Sequence, residues 1–149
     1  MNNENFINEL SDNIIRLLNT KLSLKTAKEI IERAESKAEE LNIAVTITIL
    51  DDGGNLIAQH RMDNSLLISI DASFSKAYTS VAMKIPTEEV YNIVQPGSEF
   101  YGLENISPGR ICVFGGGLPI INNGKIIGAI GVSGGTSQQD VLIAKSSII

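Results

Sequence analysis

The residues best suited to bind a ligand form one glycine-rich stretch near the C-terminus, Ser133-Gly134-Gly135-Thr136, which continues to Asp140. An apolar run ends at Ser133, and a helix is expected to begin at Thr136, which has the capping-box spacing to Gln139. Backbone amides at such a helix start, beside glycines, form a site for a carboxylate or a phosphate. A tight strand-to-helix turn, with its amides satisfied by Thr136 alone, explains the same residues.

A second candidate group lies on a helix expected over residues 66–84. Helical spacing places Ser73, Lys76 and Ser80 on one side of that helix. Small hydroxyl residues there permit close packing of a planar ligand or of a neighbouring helix. Lys76 could pair with a ligand carboxylate; the alternatives are a plain surface charge or a pair with a nearby acid. Gly116 and Gly117 let the backbone approach a ligand or another subunit, or else form a bulge.

The sequence contains few residues that could bind a metal ion or catalyse a reaction. His60 is the single histidine and the candidate metal ligand, against the alternative of a structural role. Cys112 is expected to be a small buried hydrophobe. No P-loop or dinucleotide-binding motif is present, since Gly124-Lys125 is followed by Ile126. The residues alone do not support an enzyme.

Composition narrows the class of partner. The 149 residues carry a net charge of −5, which argues against nucleic acid and against an anionic membrane surface. The N-terminus lacks the pattern of a secretory signal, and no run approaches the ~20 apolar residues of a membrane span. The cytoplasm is the expected location.

Periodicity predicts an α/β (α+β) fold, with about five strands in a mostly antiparallel sheet flanked by helices, arranged as in profilin. In the strand over 125–133, which is expected to be central, Ile126, Ile130 and Val132 share one face, and Ile127 and Ala129 the other. The expected helices span residues 5–18, 23–42, 66–84, a short segment from Thr87, and 137–148. Ser23 can cap the second of these helices, whose charged, solvated face includes Arg33. The expected strands span 43–50, 56–61, 111–114, 118–121 and 125–133, with a long loop over 96–110.

Several segments resemble the GlcG/HbpS-like (haem-degrading-like) family, which includes the C-terminal domain of PduO-type proteins. They are Asp51-Asp52-Gly53-Gly54, Ser75-Lys76-Ala77-Tyr78-Thr79, Gly115-Gly116-Gly117-Leu118-Pro119-Ile120 and the run from Ile127 to Gly134, completed by Gln139-Asp140. The likeness spans residues 23–149, which we expect to form the domain. Residues 1–22, an amphipathic helix and a linker, lie outside it.

The resemblance implies an oligomeric small-molecule-binding accessory protein for haem or a related tetrapyrrole such as a corrinoid. Family members that hold haem through histidine use a position near the N-terminal helices, where this chain has none. One alternative is a structural or accessory protein of a propanediol- or glycolate-type catabolic pathway that does not bind haem. Another is an enzyme that acts on a corrinoid or a small acid.

The helix over residues 5–18 loosely resembles the short tails that target enzymes into bacterial microcompartments. A pathway or shell protein is therefore one expected partner of this helix. The alternative is a helix packed on its own domain or across the interface of a homo-oligomer.

Overall fold

The computed structural model describes residues 3–18 and 21–148. Its elements follow the predicted order, with one predicted strand missing. The helices are α1 (Asn3–Leu18), α2 (Leu24–Glu40), α3 (Ile68–Met83), α4 (Thr87–Ile93) and α5 (Ser137–Ser147); the strands are β1 (Thr46–Asp51), β2 (Leu56–Arg61), β3 (Gly117–Asn122) and β4 (Lys125–Ser133).

The sheet of the described residues has four strands in the order β2-β1-β4-β3, and every neighbouring pair is antiparallel. The α+β class and the inner position of β4 are therefore confirmed. The strand predicted over 111–114 is wrong. That segment runs beside α3 instead, where the amide of Cys112 donates to Thr79 Oγ1 at 2.8 Å, so its hydrogen bonding is to a helix side chain rather than to a strand.

Helices cover both faces of the sheet. On one face, α2 and α5 enclose the larger core, which includes Ile31, Ile47 and Ile143. On the other face, α3 lies across β1, β4 and β3, and a smaller core forms around Leu50, Ala77 and Ala129. The start of α2 is set by Ser23, whose side chain accepts from the Thr26 amide at 3.1 Å, as the sequence predicts.

A β-bulge changes the face of one residue in β4. Ile120 pairs with Gly128 and Ile121 pairs with Ile126, so Ile127 is the extra residue. Ile127 consequently packs in the same core cluster as Ile130. The strict alternation that put these two isoleucines on opposite faces is therefore wrong, because alternation assumes an unbroken ladder.

Helix α1 presents an apolar face to solvent. Its side chains of Phe6, Ile7, Leu10, Ile14, Ile15 and Leu18 are between 47% and 73% exposed. The predicted amphipathic helix over 5–18 is present, extended by two residues at its start. Within the described part of the chain, no helix is long and apolar enough to cross a membrane.

Candidate functional site

The predicted Lys76 and Asp140 meet in a buried ion pair between α3 and α5. Lys76 Nζ lies 2.7 Å from Asp140 Oδ2, and it also donates to the carbonyl of Val132 at 2.9 Å. Both side chains are almost fully buried. The cation that the sequence offers to a ligand thus pairs with a nearby acid, which was one of the expected alternatives. The alternative of a plain surface charge is wrong, because Lys76 is 1% exposed.

The glycines Gly116 and Gly117 allow the chain to pass against this pair. Gly116 has φ +125°, and a Cβ there would lie 2.5 Å from the Val132 carbonyl oxygen and 3.0 Å from Lys76 Cδ. A Cβ on Gly117 would overlap the backbone of Lys76. Both positions require glycine because the backbone there passes very close to α3 and β4 of the same chain, not to a ligand or another subunit.

The helix start at Thr136 is the capping box that the sequence predicts. The Gln139 amide donates to Thr136 Oγ1 at 3.3 Å, and the Thr136 amide donates to Gln139 Oε1 at 2.8 Å. The Gly135 amide donates to Asp140 Oδ1 at 2.9 Å. These amides therefore already bind oxygens of the chain itself, and the anion nearest to them is the Asp140 carboxylate.

The small residues of α3 face the sheet. Ser73 Oγ lies 2.7 Å from Thr48 Oγ1 of β1, and Ser80 Oγ donates to the carbonyl of Ile85 at 2.8 Å. Both serines are fully buried, whereas Ser133, Gly134 and Gly135 lie nearer the surface at the end of β4. Ligand binding by this set of residues stays a prediction.

Phe114 covers the buried pair from outside. Its ring is 48% exposed, and its centroid lies 5.1 Å from Lys76 Nζ. Nearby, burial raises the pKa of the Cys112 thiol above its ordinary value, and the hydrogen bond to the Phe114 carbonyl and the charge of Lys76 offset only part of that effect. Cys112 is buried, as the sequence predicts.

His60 lies apart from these residues, on the edge strand β2. Its Nδ1 is 2.8 Å from Glu35 Oε1 of α2, and its side chain is 48% exposed. Across the described ranges, no three His, Cys, Asp or Glu residues form a group suited to a metal ion. A metal-binding role for His60 stays a prediction.

Sequence reasoning missed an opening between α2 and β3, which we call the α2–β3 groove. Its volume is about 700 Å³, within the range of small-molecule sites. It is lined by residues 21–23, by Thr26, Glu29, Ile30 and Arg33 of α2, by residues 119–122 of β3, by Ile127 of β4 and by Ile148 after α5.

The α2–β3 groove has an apolar floor and a charged rim. Leu22, Ile30 and Ile127 are at least nine-tenths buried and form the floor together with Ile120. Lys21 and Arg33 are exposed at the rim, where the Arg33 Nε donates to the carbonyl of Ser147 at 2.7 Å. Such a site suits a flat apolar molecule that carries carboxylates.

No local motif marks this groove because its walls come from five separate places in the chain. Arg33 belongs to the face of α2 that its charge pattern predicts to be solvated. The bulge that turns Ile127 toward the groove interrupts the alternation on which the strand prediction rests. The apolar residues of β3 and the segment before α2 come together only in the fold, so the sequence carries no signal for this groove.

The chain is similar to known proteins over most of its length. The family model described as haem-degrading protein HbpS-like matches residues 22–148. An uncharacterized 15.0 kDa protein in the dhaT-dhaS intergenic region of Citrobacter freundii is 45% identical over 127 residues, which cover 85% of this chain and 89% of that protein.

Two further relatives carry names with chemical content. The corrinoid adenosyltransferase PduO of Citrobacter freundii is 39% identical over 127 residues, but the matched part is only 38% of that protein's length. The crystal structure of a PduOC:heme complex superposes with a TM-score of 0.84 at 38% identity, covering 86% of this chain and 93% of that one. On the family model and these relatives together, the chain belongs to the HbpS-like family, the GlcG/HbpS-like group that its glycine-rich segments resemble.

Proposed function

We propose that this protein is an accessory protein that binds haem or a related tetrapyrrole in the α2–β3 groove. The observation that carries the proposal is the combination of an apolar floor with two cations at the rim of one groove of suitable volume. The relative crystallised as a haem complex supports the class of ligand. The corrinoid adenosyltransferase supports the broader tetrapyrrole class.

The floor accounts for binding of the macrocycle. A porphyrin is a flat, largely apolar ring, and removing apolar surface from water contributes roughly 25 cal/mol per Å². Ile121, which is 60% exposed, offers such a surface along β3, beside the nearly buried side chains of Ile120 and Ile127. The exposed side chain of Ile121 therefore gains apolar contact when a ring lies against it.

The rim accounts for the carboxylates. Haem carries two propionates, and Lys21 and Arg33 supply two cations. A guanidinium has five N–H donors, so the bond from Arg33 to Ser147 leaves donors for a ligand. Glu29 lies on the same wall, and its negative charge disfavours a ligand carboxylate next to it.

These residues fit the ring and the propionates of haem. Among the described residues that line the groove there is no histidine, methionine, cysteine or tyrosine. Bound haem would supply its redox-active iron, while this chain's residues hold the ring and orient its carboxylates. We therefore expect affinity to depend on the macrocycle rather than on an iron–side-chain bond.

We also propose that the protein is oligomeric and serves a catabolic pathway, in the cytoplasm or in a bacterial microcompartment. The exposed apolar face of α1 supports assembly with other chains, since large exposed apolar patches mark interaction sites. The relation to PduO supports a pathway that handles corrinoids.

The test is a titration of the purified protein with hemin and, in parallel, with iron-free protoporphyrin IX. Hemin binding is followed by the Soret band and protoporphyrin binding by fluorescence, with serum albumin as the positive control. We expect saturable binding of both, with dissociation constants within about threefold of each other. Absence of saturable binding at concentrations where albumin binds contradicts the proposal, and binding of hemin alone contradicts the ring-based account of the groove.

A further inference from the structure

Helix α1 and the α2–β3 groove are complementary in polarity. The helix carries an apolar face whose side chains, such as Leu10 and Ile14, are about half exposed. The groove has an apolar floor of nearly buried side chains, and its wall carries Ile121, which is 60% exposed. Each surface leaves apolar area in water, and burying one against the other would remove both areas from water.

Their charges are also complementary. Helix α1 contains Glu4, Glu9 and Asp12 against the one cation Arg16, so its formal charge is 1 − 3 = −2. At 100° per residue, Glu4 falls within one edge of the apolar face, between Leu18 and Ile15, and Glu9 lies beyond the other edge. The groove is lined by Lys21 and Arg33 against Glu29, so its formal charge is 2 − 1 = +1.

The two surfaces are neighbours along the chain. Helix α1 ends at Leu18, and the groove begins at Lys21. A single chain nevertheless leaves the apolar face of α1 exposed, with Leu18 at 73%. Reciprocal docking between two copies would let each helix cover the groove of the other, in an arrangement with two-fold symmetry.

We propose that α1 of one copy docks in the α2–β3 groove of a second copy, and that this docking competes with the tetrapyrrole. The docking stands on the complementarity of helix and groove, whereas the competition rests on the proposed function. An apolar ring and an apolar helix face need the same floor residues. Self-association would then hold the groove closed until a tetrapyrrole displaces the helix.

Disulfide trapping between two single-cysteine proteins tests the docking. One protein carries Leu10→Cys and a larger affinity tag, and the other carries Ile121→Cys; both carry Cys112→Ala. The control partner carries Leu56→Cys instead, at a leucine 55% exposed on the edge strand β2, far from β3 in the strand order. After mild oxidation, we expect at least tenfold more mixed dimer with Ile121→Cys than with Leu56→Cys.

Two outcomes contradict the proposal. Equal yields with the two partners contradict docking in the groove. A chain with both Leu10→Cys and Ile121→Cys that forms only an internal disulfide shows that α1 covers its own groove, which contradicts the reciprocal docking. Should Cys112→Ala impair folding, the same pairs are tested with Cys112 retained, because that thiol is buried.

Hemin added before oxidation tests the competition. We expect saturating hemin to lower the yield of mixed dimer at least fivefold. Trapping that is unaffected by hemin, in a protein that binds hemin, supports the helix docking and contradicts the shared site. Hemin binding without preferential trapping supports the proposed function and contradicts the docking, so the two claims fail separately.

Discussion

Lys76 Nζ lies 2.7 Å from Asp140 Oδ2, and both side chains are at most 2% exposed. The pair joins α3 to the start of α5 across 64 positions of sequence. Because Asp140 also accepts from the Gly135 amide, one carboxylate holds the helix start and the lysine together. The two segments that resemble the family, around Lys76 and around Asp140, are therefore in direct contact in the fold.

Replacing Lys76 by Met should destabilise the protein by about 3–5 kcal/mol, because it leaves the Asp140 carboxylate buried and unpaired. Adding Asp140→Asn to Lys76→Met should recover part of this loss, since the amide keeps an acceptor for Gly135 and carries no charge. Urea denaturation measures both variants. A Lys76→Met variant within about 1 kcal/mol of the wild type would show that the pair does not stabilise the fold.

The sequence predicts the elements of this fold where periodicity and local chemistry agree. Ser23 and the Thr136–Gln139 capping box show their predicted roles because a helix cap involves only residues a few positions apart. The strand predicted over 111–114 fails because Cys112 bonds to Thr79, a partner 33 residues away that no local pattern contains.

The candidate site is predicted less well, for a physical reason. Residue types indicate that Lys76 and Asp140 matter, but they do not show whether a charge meets a ligand or another side chain. Burial decides between these cases, and burial is a property of the packed chain. The α2–β3 groove is invisible to motif reasoning because Lys21, Arg33 and Ile127 converge only after α2 packs on the sheet.

The Cys112 thiol should make stability fall at alkaline pH. Burial raises its pKa in the folded state, so the unfolded chain loses the proton first as the pH rises. The contribution of the protonated thiol to the free energy of unfolding is therefore fully present below the ordinary thiol pKa of roughly 8.5. It is lost as the pH rises above that value. Thermal unfolding from pH 7 to pH 10 should show a shallower decline for Cys112→Ala than for the wild type. Parallel declines would contradict a raised pKa.

His60→Ala should leave hemin affinity within about twofold of the wild type. In the groove account, His60 lies on β2, at the edge of the sheet opposite β3, and it pairs with Glu35. The comparison uses Soret titrations of the two proteins under identical conditions. A tenfold or larger loss, or a changed Soret maximum, would instead identify His60 as an iron ligand and revive the sequence-based assignment.

Tetrapyrrole binding in the α2–β3 groove is tested most directly by hemin titration of Ile121→Asp beside its matched control Leu56→Asp. Both leucine-sized side chains are more than half exposed on edge strands, so neither substitution buries a charge in the free protein. Only Ile121→Asp places a carboxylate on the groove wall, where an apolar ring would desolvate it. We predict at least a tenfold loss of hemin affinity for Ile121→Asp and wild-type affinity for Leu56→Asp. Equal affinity in the two variants would contradict tetrapyrrole binding in the α2–β3 groove.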